Sequence, residues 1–92
     1  MIRGFRDRKT QRFFEGRRIR SFDGFAEQAT RRLTILDNAE SLNDLSALRS
    51  NRLEALAGDR AGQYSIRINR HWRNCFRWGD DGLEDVEITD YH

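Results

Sequence analysis

Tyr64-Ser65-Ile66-Arg67-Ile68, Trp72-Arg73-Asn74-Cys75-Phe76-Arg77-Trp78 and Val86-Glu87-Ile88 decide the fold. Apolar side chains alternate with polar ones: Tyr64, Ile66, Ile68; then Trp72, Phe76, Trp78; then Val86, Ile88. A period of two is the signature of strands with one face on a core and one toward water. Asn69-Arg70-His71 separates the first two runs, and Gly79-Asp80-Asp81-Gly82 the last two. Asp-Gly at 81–82 and the glycines of 58–62 are hairpin turn signals. The stretch therefore predicts a meander of antiparallel strands. Parity places Arg67, Arg73 and Arg77 on its polar face, with Arg60 on a loop beside them. The same parity sets Asn74 among the core residues Trp72 and Phe76. Asp90-Tyr91-His92 follows the last strand.

Upstream, the spacing is helical. Residues 2–5 read as a short first strand. Asp7 suits the cap of a helix reaching about residue 14, with Gly16 at its carboxyl end and Phe13 and Phe14 toward the core. Arg17-Arg18-Ile19-Arg20 is a basic linker. Asp23 suits the cap of a second helix over about 25–39, whose stripe is Phe22, Ala26, Ala29, Leu33 and Leu36. Ser41, with Asp44 three residues later, predicts a short capped turn, and Leu48 is expected to tuck it against the core. The order strand, helices, strands predicts an α+β domain with two helices on one sheet face.

Ninety-two residues allow one small domain over 1–92. A mean hydropathy of -0.88 fits a modest core under much polar surface. No apolar run is long enough to span a bilayer, and arginines follow Met1 where a leader would be apolar. The lone Cys75 makes no internal disulfide, which suits a reducing cytoplasm. Two histidines and one cysteine, far apart, give no metal-ligand spacing, so neither a metal nor a cofactor is expected.

Among 17 basic residues only Lys9 is a lysine. Guanidinium forks onto phosphate, although codon bias produces the same count. The net charge of +2 hides an asymmetry: residues 1–36 are strongly basic, and residues 79–92 hold acidic groups but no arginine or lysine. Such a field points to an anionic partner and a second, basic one.

Together these residues resemble the HigB-like toxins of the RelE superfamily, especially their GraT-like branch. The match runs through Ile2-Arg3-x-Phe5, Ile35-Leu36-Asp37-x-Ala39, Leu42-x-Asp44-Leu45 and Arg52-Leu53-Glu54-Ala55-Leu56. It continues in Gly58-x-Arg60-x-Gly62-Gln63, Ser65-Ile66, Trp72-Arg73, Phe76 and Asp90-Tyr91-His92. The resemblance implies a RelE-like fold: a twisted antiparallel sheet with two amino-terminal helices on one face and an open concave face. It also implies the toxin of a type II toxin–antitoxin pair, cutting mRNA on the ribosome without a metal. Its partners would be a helix-turn-helix antitoxin of the HigA or GraA kind, the ribosome with its mRNA, and operator DNA through the antitoxin complex. No membrane partner would be expected, and the location would be cytoplasmic.

The chemistry so implied needs a base for the 2′-hydroxyl, an acid for the departing 5′-oxygen, and cations for the phosphorane-like transition state. The resemblance assigns Arg73 to the scissile phosphate and His92, Asp90 and Tyr91 to catalysis. Histidine titrates near neutrality, and Asp90 with the terminal carboxylate would favour its imidazolium form. In an ideal strand Tyr91 alternates away from Asp90 and His92, so a bulge is needed for all three to share a face. Tyr91 also suits stacking on a base. Glu54 and Ala57 stand where some relatives carry histidine and lysine, which leaves Glu54 as a base or as an orienting group for an arginine. Arg60, Arg67 and Arg77 complete the expected substrate-binding set.

Two other readings fit the same fold: a non-catalytic inhibitor of a protein such as gyrase, in the manner of ParE toxins, and a weak toxin serving mainly as corepressor with its antitoxin. The Asp90-Tyr91-His92 triplet argues against the first. Glu54 and Ala57 keep the second open.

Overall fold

The computed structural model describes residues 1–90. Four strands, β1 (Glu54–Ala55), β2 (Tyr64–Arg67), β3 (Arg73–Trp78) and β4 (Leu83–Thr89), pair in sequence order as one antiparallel sheet. The predicted meander is present, and the two-residue β1 adds to it. Its pairs Glu54–Ser65 and Ala55–Tyr64 set it on the outer side of β2.

The last strand departs from strict alternation. Cys75 faces Glu87, but Arg77 faces Glu84, so β4 carries one extra residue over that interval. Asp85, at φ 53°, sits at this irregularity. Leu83 and Val86 are three apart yet both fully buried. An inserted residue restores their common face, which is what a β-bulge does.

The outer edge of β4 is closed. Its Leu83, Val86 and Ile88 N–H groups donate to Met1 O, Gly4 O and Thr10 Oγ1 at 3.0, 3.1 and 3.0 Å. In return, Arg3 and Arg6 N–H groups donate to the Leu83 and Val86 carbonyls. Residues 2–5, expected as a strand, are therefore two isolated parallel bridges, Ile2–Leu83 and Phe5–Val86. The uneven spacing of β4 at its bulge prevents a continuous ladder. The arrangement still removes an exposed edge.

Three α-helices cover the apolar face. Helix α1 (Arg8–Phe14) is capped as predicted, with Asp7 Oδ1 accepting from Thr10 N–H at 3.0 Å. Gly16, at φ 98°, ends it, where a side chain would be strained. Phe13 packs on the core, whereas Phe14 remains 39% exposed, its ring against Phe5. Helix α2 (Ala26–Asn38) buries Ala29, Leu33 and Leu36, three residues of the predicted stripe. Asp23 does not cap it. A 3-10 helix (Arg20–Phe25) precedes it, and Arg18 takes the Asp23 carboxylate at 2.6 Å. In α3 (Leu42–Ala47), Ser41 Oγ accepts from Asp44 N–H, and Asp44 Oδ2 accepts from Glu40 N–H. Leu45 fills the core, and Leu48 is exposed, contrary to expectation. Backbone at Leu48 has already left the helix and leads into the next 3-10 turn.

The core lies between α2, α3 and the sheet, with Phe76 fully buried at its centre. Burying a side chain of that size stabilises by about 1.5–3 kcal/mol. Asn74 is buried between its cross-strand neighbours Ile66 and Ile88, as parity required. Neither its amide nitrogen nor its oxygen has a hydrogen-bond partner among the described residues. Among those residues no helix is long and apolar enough to cross a membrane.

Candidate functional site

One row crosses the face opposite the helices. Glu54 is opposite Ser65, Ser65 opposite Cys75, and Cys75 opposite Glu87. Ser65, Cys75 and Glu87 are buried. Burial pushes the Cys75 thiol up to about 11, only partly offset by the Arg60, Arg73 and Arg6 charges. Those cations thus share its neighbourhood.

At one end is a cleft of about 440 Å3 lined by Arg52, Leu53, Glu54, Arg67, Arg70 and Arg73. Among the described residues, four arginines and one glutamate give the lining a formal charge of +3. Arg67 and Arg73 face each other across β2 and β3, a like-charge pair that by itself destabilises a sheet. Arg73 is fixed: its Nε donates to Ser65 Oγ and its Nη2 to the Arg52 carbonyl, both at 2.7 Å. Arg52 adopts φ 47°, ψ 54°, a left-handed conformation costly for a residue with a Cβ. That bend carries the carbonyl which Arg73 uses.

The hairpin turn at the cleft is equally set. Asn69 Oδ1 accepts from both His71 and Trp72 N–H at 2.9 Å, and Arg67 Nε donates to the Asn69 carbonyl at 3.1 Å. Trp72 also packs its ring on Phe25, centroids 4.7 Å apart. The turn is thereby held from both sides, with Arg70 at its exposed tip.

Over residues 3–92 the chain matches the family described as RelE-like toxin of type II toxin-antitoxin system HigB. Toxin HigB-1 of Vibrio cholerae serotype O1 (strain ATCC 39315 / El Tor Inaba N16961) is 38% identical over 78 residues, covering 83% of this chain and 82% of that protein. The chain belongs to the HigB-like toxin family. Its architecture, helices with a four-stranded antiparallel sheet, is consistent with the RelE-like α+β fold of that family. A type II toxin implies an antitoxin partner.

In this HigB-like toxin the fold separates the residues singled out in the sequence. Glu54, Arg67 and Arg73 meet in the cleft. Arg60 does not line it: its Nη1 donates to Glu87 Oε1 at 2.7 Å and to Gln63 Oε1 at 2.9 Å. Arg77 lies further along β3, its Nε 3.4 Å from Asp85 Oδ2 and its Nη1 close over Gly62. Asp90 follows Thr89, the register partner of Arg73, and is exposed. Tyr91 and His92 lie outside the described residues. Arg52 and Arg70 were not assigned as site residues from sequence. Strand parity does not reach turns, but Arg67, Arg70 and Arg73 at intervals of three around one hairpin were a usable signal.

Proposed function

We propose that this toxin is an endoribonuclease that cuts translated mRNA on the ribosome. The observation that carries the reading is the Arg73 guanidinium, held by Ser65 Oγ and the Arg52 carbonyl inside a cleft of four arginines. A cation oriented before the substrate arrives stabilises the transition state without reorganising at the moment of reaction. The 2′-oxygen attacks the adjacent phosphorus, and the bond to the 5′-oxygen breaks. The products are a 2′,3′-cyclic phosphate and a 5′-hydroxyl. Arg73 neutralises the phosphorane-like transition state, and Arg67 steadies the same phosphate. Glu54, on β1 opposite Ser65, accepts the 2′-hydroxyl proton. His92, with Asp90 and Tyr91, supplies the proton for the leaving oxygen. Arg60 and Arg77 add to the positive field that guides RNA to this face. No step calls on a metal ion. The toxin acts in the cytoplasm, is neutralised by a helix-turn-helix antitoxin, and with it binds operator DNA.

The test is induced expression followed by mapping of mRNA 5′ ends, for wild type and for Arg73→Ala. New ends within translated frames, present in wild type and missing in the variant, are expected. Growth arrest with no new ends would overturn the endonuclease and leave a protein target. His92→Gln is expected to lower single-turnover cutting of ribosome-bound mRNA by about 10²–10⁴-fold, the usual contribution of one acid–base group.

A further inference from the structure

We infer that Arg70 and Arg52 form a second phosphate subsite beside Arg73, so that the cleft holds two successive backbone phosphates of a single RNA strand. The inference rests on the reading of the cleft as the RNA site and extends it to two residues with no assigned role. Arg73 is bound to Ser65 and Arg52, and Arg67 to the Asn69 carbonyl. The guanidiniums of Arg52 and Arg70, by contrast, have no hydrogen-bond or ion-pair partner among the described residues. Both are exposed and both line the cleft. Among the described residues one carboxylate, Glu54, faces four cations there. Crowding like charges in this way is unfavourable in the absence of an anion.

The presenting backbone is rigid. Asn69 closes the turn beneath Arg70 with two hydrogen bonds, and the left-handed bend at Arg52 is anchored through its carbonyl. The subsite thus loses little backbone freedom when it binds. A guanidinium matches the geometry of a phosphodiester, and phosphate is common to every nucleotide. The second subsite therefore contributes grip along the strand without choosing a base.

The experiment measures binding of a short 2′-O-methylated single strand, which lacks the attacking hydroxyl and cannot be cut, across a range of salt. Arg70→Ala is expected to weaken binding about tenfold at low salt. It should also make the slope of log affinity against log salt shallower by about 0.7, the value for one phosphate contact on a single strand. Arg70→Lys should restore most of the slope. Arg17→Ala, which removes the same charge outside the cleft lining, should change the slope much less. An Arg70→Ala slope equal to wild type, or no greater a loss than in Arg17→Ala, overturns the subsite, as does a wild type that does not hold the strand. Ribosome-dependent cutting by the same preparations separates the two readings. Cutting with a silent Arg70 sinks the subsite alone, and Arg70-dependent binding without cutting sinks the nuclease alone.

Discussion

Two groups of arginines share the same sheet face and are treated oppositely. Near β4, Arg60 and Arg6 converge on Glu87, a carboxylate with a side chain only 11% exposed. At the other end, Arg52, Arg67, Arg70 and Arg73 surround a cleft with one glutamate between them. The first group closes on one buried carboxylate and joins the β4 region to the 58–62 loop. Among the described residues the second has one carboxylate for four guanidiniums, while its backbone is held tightly. Arginine content alone therefore says little. What distinguishes a structural arginine from one available to a ligand is whether the fold already supplies its anion.

The sharpest break in this comparison is Arg73→Ala. Cutting is expected to fall about 10²–10³-fold, the cost of removing one preorganised donor to a transition-state charge. The melting temperature should stay near wild type. A variant that is folded and fully toxic would move Arg73 into the structural group.

Glu87→Gln should show the reverse pattern. Deleting one partner of a buried pair costs roughly 3–5 kcal/mol, and partial exposure of Arg60 places this case near the lower end. The loss should be read in chemical denaturation, with activity per folded molecule changed far less than by Arg73→Ala. An unchanged denaturation midpoint would mean that Arg60 finds its anion elsewhere.

Asn74 sharpens the contrast from the other side of β3. Its amide has no hydrogen-bond partner among the described residues and is sealed in the core. Asn74→Val should stabilise the domain by about 1 kcal/mol, since a buried polar group without a partner carries a desolvation penalty. A drop in stability would show that the amide is satisfied by water in solution.

The smallest effect belongs to Arg6→Ala. Its contact with Glu87 is long, at 3.8 Å, and its side chain is 52% exposed. Exposed pairs contribute about 0–1 kcal/mol, so denaturation should barely move. A loss as large as that in Glu87→Gln would make Arg6, rather than Arg60, the principal anchor.

Much of the fold was legible because alternation in 64–68 and 72–78 has one physical meaning. Where the reading failed, a local competitor had won. Asp23 has the chemistry of a cap, but Arg18 lies five residues away and takes its carboxylate. Leu48 is apolar, yet the chain has turned before it can reach the core. The strand β1 is two residues long, too short to show any period. In the cleft, Arg67 and Arg73 followed from parity and Glu54 from family likeness. Arg52 escaped because a left-handed bend has no periodic signature, and Arg70 because strand parity stops at the turn. Arg60 was expected on a loop beside that face, and no spacing in the chain pointed to its pairing with Glu87.

The sealed edge of β4 also governs when the domain can form. Thr10 meets Ile88 across 78 residues of chain, and Met1, Arg3 and Gly4 meet Leu83 and Val86 at comparable separations. Contacts this distant in sequence fold slowly, because the intervening chain must first be brought together. During synthesis the amino-terminal segment has nothing to pair with until β4 has emerged. Until then the helices lack the strand that carries Leu83, Val86 and Ile88 into the core. Completion of the domain thus waits on its last strand, and nascent chains that stop before residue 83 leave an apolar face and an unpaired β3 edge exposed to chaperones and proteases.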